Sequence, residues 1–224
     1  MTDVEQMFES NMLATDIELC PLELFESWVE DAKRRNQHVG DTPNPCAMTV
    51  ATVDAQGRPD VRTVELRILG AGGPAFLTNL ESEKAHQLAG NSALAATMTW
   101  PALNRAIRMR GHAIQLHRDT VRSNFNSRPW DARVAIWASA QSSKVQSREQ
   151  LETCFADVAR RYPDRGKTDD VPVPPFHGGY QIDCYQIEFW SARPNRMHSR
   201  LLYIRHRDGD LAGRDCWECE WRQP

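Results

Sequence analysis

Three short stretches of this 224-residue chain concentrate side chains that bind anions or move protons. The densest is residues 190–200, where Trp190 is followed by Arg193, Arg196, His198 and Arg200. Like charges packed so closely repel unless something neutralises them. A bound anion or a planar ligand therefore explains the cluster more economically than solvation does, while Trp190 and Met197 also fit a core. A second stretch sets Arg62 and Arg67 five residues apart in a strand-like segment. Side chains at odd spacing point to opposite strand faces, so a given ligand meets one of the two, and the other faces elsewhere or sits near the strand end. The third stretch, Gln141-Ser142-Ser143-Lys144 after Trp137, offers amide and hydroxyl donors to a phosphate. For the second and third stretches, ordinary solvated side chains are the competing reading. The lone histidines His38, His86, His112 and His206 read as surface or core residues.

Several chemistries get no support. There is no glycine-rich phosphate loop, no G-x-S-x-G and no His-Glu-x-x-His, which argues against dinucleotide folds, serine hydrolases and zinc proteases. Cys216 and Cys219 form a lone C-x-x-C pair with no second pair or nearby histidines, so no metal centre is expected.

The elements that must position these groups read as follows. Residues 1–20 lack sustained periodicity and are expected to form a mobile arm or one that packs on a partner subunit; residues 21–224 are expected to form a single domain. Leu22, Leu24, Phe25, Trp28, Val29 and Ala32 recur at three-to-four spacing after Pro21, predicting a helix over 21–36 that lies on a core. Strands are expected at 47–53, 61–69, 74–78, 93–100, 103–116, 180–190, 201–206 and 216–221, with turns such as Asp54-Ala55-Gln56-Gly57 between them. Further helices are expected at 81–88, 119–126 and 147–162, before the proline-rich crossover Val171-Pro172-Val173-Pro174-Pro175. Six or more strands at hairpin spacing predict a mostly β, α+β architecture: a closed or partly closed antiparallel barrel with peripheral helices.

Composition agrees. Apolar residues make up 41% and charged residues 25%, which suits a folded domain with a sizeable core. The net charge of -3 gives no field favouring nucleic acid. No apolar run approaches the ~18–20 residues of a membrane helix, and the first residues are acidic where a secretory signal would be basic. Six scattered cysteines suit a reducing cytoplasm.

From Pro21 to Pro224 the sequence resembles the pyridoxamine 5'-phosphate oxidase family. The residues that carry the resemblance are Arg62-x-Val64-x-Leu66, Thr78-Asn79-x-x-Ser82-x-Lys84, Ser127-Arg128-Pro129, Trp137-Ala138-Ser139-x-Gln141-Ser142, Pro172-x-Pro174-Pro175-x-x-Gly178-Gly179-Tyr180, Ile187-Glu188-Phe189-Trp190 and Arg196-x-His198-x-Arg200. The resemblance implies an FMN-binding split β-barrel homodimer with two clefts at the subunit interface, both chains contributing. It implies hydride transfer from C4' of pyridoxine or pyridoxamine phosphate to flavin N5, with O2 reoxidising the flavin. Carried over by position, Arg62, Arg67, Leu77, Thr78 and Lys84 would surround FMN together with Gln141, Ser142, Trp190 and Arg200. Arg196 and His198 would be the catalytic pair at the substrate ring, and Arg128 would hold substrate phosphate with Arg67 shared.

The chain also departs from the family pattern. Glu83 stands where an arginine usually flanks the phosphate-binding lysine, and a carboxylate there repels phosphate unless Arg108 or Arg110 neutralises it. Ala106 replaces a flavin-contacting glutamine. On the substrate side Arg67 replaces a lysine, Asn124 a tyrosine and Ala132 a serine. Two lost hydrogen bonds to a charged group, at ~1.5–3 kcal/mol each, would cost roughly two to four decades of affinity without compensation. Trp130 would add aromatic surface and favour a flat apolar substrate. The alternatives to a vitamin B6 oxidase are a flavin oxidase of a non-phosphorylated ring compound in phenazine-like metabolism, or a non-catalytic binder of flavin or a metabolite.

Overall fold

The computed structural model describes residues 14–224. Helix α1 (Pro21–Val39) begins where Pro21 takes the first-turn position and the Cys20 amide donates to the Glu23 carboxylate at 2.9 Å. It runs three residues past the expected end and stops at Gly40, whose φ of 75° is the left-handed cap that favours glycine. Its apolar stripe buries Leu24, Phe25, Trp28, Val29 and Ala32, with Trp28 edge-on to Phe189 at 5.2 Å. Arg105 lies over the Trp28 ring at 4.8 Å and pairs with Asp31 at 2.7 Å.

Eight strands follow the predicted order: β1 (Ala47–Val53), β2 (Pro59–Glu65), β3 (Ala75–Asn79), β4 (Ala93–Trp100), β5 (Arg105–Gln115), β6 (His177–Ser191), β7 (Ser199–Arg205) and β8 (Trp217–Trp221). All pairings are antiparallel, in the order β2-β1-β4-β5-β6-β7-β8. Strand β6 organises the molecule. Its start pairs with β3, placing Thr78 opposite Gly178, and its end pairs with β7, placing Trp190 opposite Arg200. Beyond β2, the Arg67 amide donates to the Ala75 carbonyl at 2.9 Å and the Ala75 amide to the Ile68 carbonyl at 2.8 Å. This narrow seam joins β2 to β3 and closes β1-β2-β3-β6-β5-β4 into a ring, a barrel split at its weakest pairing. Alternation along β1, β4 and β5 sends Met48, Val50, Met98, Ile107 and Met109 inward, where they meet Phe76, Ile182 and Ile187.

β3 and β6 approach so closely that a Cβ on Gly179 would sit 2.4 Å from the Phe76 carbonyl oxygen. Gly179→Ala is therefore expected to cost ~1–3 kcal/mol of stability, as overpacking against backbone does. Urea unfolding checks this; an unchanged midpoint would show that the strands part without cost.

The remaining helices are α2 (Glu83–Gly90), α3 (Arg118–Asn126), α4 (Trp130–Ala138) and α5 (Arg148–Arg161). Helix α4 is not foreseen by the sequence, because its short apolar run Val134-Ala135-Ile136-Trp137 has no helical period to distinguish it from a strand. Tertiary contacts decide it. Val134 is fully buried against Phe125 and Val171, with Phe155, Val158 and Tyr162 packed around them, and the buried Arg133 guanidinium donates to the carbonyls of Lys167 and Thr168. Strand β5 starts two residues later than expected, since Pro101–Leu103 forms a 3-10 turn ended by Asn104 at φ 53°.

Of the arm expected over 1–20, residues 1–13 lie outside the described residues. Within residues 14–20, Ala14–Glu18 forms a 3-10 turn whose carbonyls are held by its own chain. The Tyr203 hydroxyl lies 2.9 Å from the Asp16 carbonyl, and Arg214 donates to the Ile17 carbonyl at 2.8 Å. No described helix is long and apolar enough to cross a membrane.

Candidate functional site

A cavity of about 370 Å³ opens where β2, the end of β3, the first turn of α2 and the loop after α4 meet. Arg62, Leu77, Thr78, Lys84, Gln141 and Ser142 all line it, so most of the expected flavin-binding set converges although it spans eighty residues of sequence. Lys84 is buried, and its ammonium donates to the Thr78 hydroxyl at 3.1 Å and the Ser82 hydroxyl at 3.4 Å. Burial lowers its pKa, the Arg62 charge lowers it further, and Asp60 partly offsets both. A buried cation whose hydrogen-bond partners are hydroxyls rather than carboxylates is a site prepared for an anion. The α2 N-terminus adds to the positive field. Its first amide, Glu83 N–H, donates to the Ser142 hydroxyl at 3.3 Å, and Ser142 itself is held at φ 72°. Gln141 accepts from the Thr78 hydroxyl at 3.0 Å and the Asn79 amide at 3.2 Å, which ties the loop to β3. Arg62 reaches across to Val50, Thr52, Asp60 and Gln87, locking β1, β2 and α2 together. Glu83 is exposed on the cavity rim. The expected neutralisation by Arg108 or Arg110 does not occur: Arg108 pairs with Glu188, and Arg110 lies over the Tyr185 ring.

A second cavity, about 340 Å³, shares Leu77, Thr78 and Gln141 with the first and adds Arg128, Ala132, Ala135, Ile136 and His177. Burial lowers the pKa of Arg128, and the neighbouring charge of Arg67 lowers it further, so the two guanidiniums sense each other across the pocket wall. Arg67 itself lines a different opening, beside Cys46 and Leu66. Asn124 lies one turn before Arg128, with its side-chain oxygen buried and unpartnered. Trp130 lines neither cavity. Its indole N–H donates to the Tyr162 carbonyl at 2.8 Å and its ring packs in the helical cluster, so the expected aromatic contribution to the pocket is absent.

His177 is a residue that the sequence reading passed over, because nothing adjacent to it in the sequence suggests a site. Its backbone is pinned from both sides: its amide donates to Pro174, and Arg118 donates to the carbonyls of His177 at 2.6 Å and Pro174 at 2.7 Å. The imidazole is buried against the Phe125 ring at 5.5 Å. Burial, then the charges of Arg128 and Arg118, push its pKa down to about 4. The unfolded chain then binds a proton that the native state refuses between pH ~6.5 and ~4, so stability is complete above that window and falls as pH drops through it. We expect a loss of about 1–3 kcal/mol across the window, after discounting for solvent screening. His177→Gln should flatten this part of a stability-against-pH curve; an identical slope would assign the acid sensitivity to other groups.

The remaining predicted residues lie elsewhere. Trp190 is next to last in β6, Arg196 and His198 occupy the loop to β7, and Arg200 is the second residue of β7. Gly178 and Trp190 are twelve residues apart on one strand. At ~3.3 Å per residue this separates the two groups by about 35–40 Å within a chain. At this far end Arg200 forms a two-pronged pair with Glu188, at 3.1 and 2.8 Å, and Arg108 adds a third contact at 2.7 Å. Glu188 is buried, so it fixes the Arg200 guanidinium. The His198 ring packs tilted against Trp190, 4.9 Å between centroids, and its Nδ1 accepts from the Arg193 amide at 3.1 Å, leaving the neutral ring's proton on Nε2. Asn195 and Arg196 are both left-handed, at φ 59° and 62°, a strained loop for non-glycine residues. Ala106 faces Trp190 across β5 and β6.

A family model described as pyridoxamine 5'-phosphate oxidase matches residues 37–161, and one described as the pyridoxine 5'-phosphate oxidase C-terminal dimerisation region matches residues 177–224. A protein named pyridoxine/pyridoxamine 5'-phosphate oxidase from Shewanella sediminis is 40% identical over 189 residues, covering 84% of this chain and 85% of the relative. One of the same name from Acidothermus cellulolyticus is 39% identical over 197 residues, covering 88% and 84%. Among solved structures, PhzG from Burkholderia lata in complex with tetrahydrophenazine-1-carboxylic acid superposes with a TM-score of 0.80 at 24% identity, over 96% of this chain and all of that one. A pyridoxamine 5'-phosphate oxidase-related, FMN binding protein from Nostoc punctiforme gives 0.67 at 19% identity, over 93% of this chain and 100% of that one. At these identities the two structures establish the fold.

Proposed function

The chain belongs to the pyridoxine/pyridoxamine 5'-phosphate oxidase family, and on that premise we propose that it is an FMN-dependent oxidase of a pyridoxine- or pyridoxamine-like ring carrying an anionic group, with O2 as acceptor. The observation that carries this reading is Lys84: a buried ammonium bonded to two hydroxyls, at a helix N-terminus, in a cavity whose other walls come from the expected flavin-binding residues. These residues fit a flavin phosphate. Lys84 and Ser142 would hold it, Arg62 would add charge, and Gln141 would present its amide. When bound, FMN supplies the hydride acceptor.

The residues expected at the ring lie at the far end of β6, so a complete site takes one end of β6 from each of two chains, consistent with the dimerisation region at 177–224. Trp190 would wall the flavin, and Glu188 would keep Arg200 turned towards it. His198 would offer its Nε2 proton to the substrate's C4' substituent, with Arg196 beside it. Arg128 and Arg67 would receive the substrate's anionic group. The exposed rim carboxylate of Glu83 would weaken flavin binding slightly. Glu83→Arg should tighten FMN a few-fold in a manner erased by salt, and unchanged affinity would remove Glu83 from the account.

A second reading, oxidation of a non-phosphorylated ring, is favoured by the apolar wall Ala132, Ala135 and Ile136. One experiment separates the readings. The protein is titrated with FMN by visible absorbance and then mixed anaerobically with pyridoxine 5'-phosphate. Bleaching of the flavin band supports the vitamin B6 reading, while bound flavin that stays oxidised points to another ring. Failure to bind FMN overturns both.

A further inference from the structure

Among the described residues, five buried side-chain polar atoms have no hydrogen-bond partner, and four of them belong to one neighbourhood: Arg67 Nε, Asn124 Oδ1, Arg128 Nε and His177 Nε2. The charge of Arg67 acts on Arg128, that of Arg128 acts on His177, and Asn124 lies one turn before Arg128. Buried polar atoms are costly to leave unpartnered, so the guanidinium and imidazole nitrogens gathered here mark a spot where an accepting ligand completes the bonding. Two of the four residues, Arg67 and Arg128, are already assigned to the substrate's anionic group, and His177 is the titratable one that is not.

We propose that His177 is a specificity-determining ligand of a phosphate monoester on the substrate, its imidazole supplying from the β6 wall the hydrogen bond that Ala132 cannot supply from α4. This rests on the reading of the Arg128 pocket as the substrate's anion site. His177 and Ala132 line the same cavity, so the imidazole stands where a lost hydroxyl can be replaced. Arg67, Arg128 and His177 belong to three separate segments: the β2–β3 link, the α3–α4 link and the start of β6. Arg128 and His177 line the cavity from two of these segments and the charge of Arg67 reaches Arg128 from the third, an arrangement that suits the several terminal oxygens of a phosphate better than the two of a carboxylate. The ring is fit for the task because Arg118 and Pro174 pin its backbone and Phe125 packs tilted against it, so little freedom is lost on binding. Neutral in the free pocket between Arg118 and Arg128, it is a donor that adds no third repelling charge until an anion arrives.

The test uses FMN-saturated protein, so that the flavin phosphate fills the Lys84 cavity, with inorganic phosphate as the probe. Its affinity is measured by calorimetry for the wild type, His177→Phe and His177→Gln, and the imidazole 15N signals of the wild type are followed through the same titration. Loss of one hydrogen bond to a charged group predicts a Kd weakened about tenfold to a hundredfold in His177→Phe, with most of the affinity retained in His177→Gln. Saturating phosphate should also raise the His177 titration midpoint by a unit or more in the wild type, a readout that needs no variant to fold. Equal affinity in all three proteins with an unmoved midpoint overturns the role of His177 and leaves the anion pocket standing. No phosphate binding by the wild type overturns both.

Discussion

Lys84→Met is expected to weaken FMN binding by about tenfold to a hundredfold while leaving the flavin-free protein as stable as before or slightly more so. The two halves of this expectation have one cause. Burial and Arg62 already disfavour the Lys84 ammonium, and methionine fills a similar volume without that cost. The hydroxyls it abandons stay satisfied, because Thr78 still donates to Gln141 at 3.0 Å and Ser82 to the Asn79 carbonyl at 2.6 Å. What disappears is the charge-assisted bond to a phosphate. Flavin fluorescence quenching gives the affinity, and thermal unfolding without flavin gives the stability. Unchanged affinity would detach Lys84 from the flavin phosphate; a strongly destabilised apoprotein would make it a structural residue.

The second large effect concerns how the site is divided. Arg128→Ala damages the half near the start of β6, and Arg196→Ala the half at its far end. Each homodimer alone should lose nearly all oxidase activity. Co-expression of the two variants should restore about a quarter of the wild-type rate, since about half of random dimers are mixed and each mixed dimer has one undamaged site of two. The argument is geometric: Arg128 lies near the start of β6 and Arg196 just past its end, and groups at the two ends, about 35–40 Å apart along the strand, do not meet on one substrate unless a second chain supplies the complement. No recovery in a preparation shown by mass spectrometry to contain mixed dimers would mean that each site is built within a single chain.

Much of this was legible in the sequence. The strand order, α1 and the barrel class follow from alternation, turn residues and the Pro21 start, because local sterics and one-sided burial write those patterns directly into the chain. The clustering of Arg193, Arg196, His198 and Arg200 already signals an anion or planar ligand, since their charges lie close along the sequence. Where the signal lies between segments, it is lost. Helix α4 depends on its packing against Phe155 and Val171. Trp130, which in sequence belongs with Arg128, turns away because the Tyr162 carbonyl captures its indole N–H. Glu83 finds no arginine, because Arg108 is taken by Glu188.

By itself, then, the sequence determined the family, the mostly β architecture and which residue types are available to bind a flavin phosphate and an anionic ring. Only the tertiary structure decided which of them share a pocket. It gathered Arg62, Thr78, Lys84, Gln141 and Ser142 around one cavity, sent Trp190 and Arg200 to the opposite end of β6, and placed His177 beside Arg128. The physical reason is that propensity and periodicity act over a few residues. The burial of a charge, the orphaning of an imidazole nitrogen and the length of a single strand are properties of segments that meet only in the folded chain.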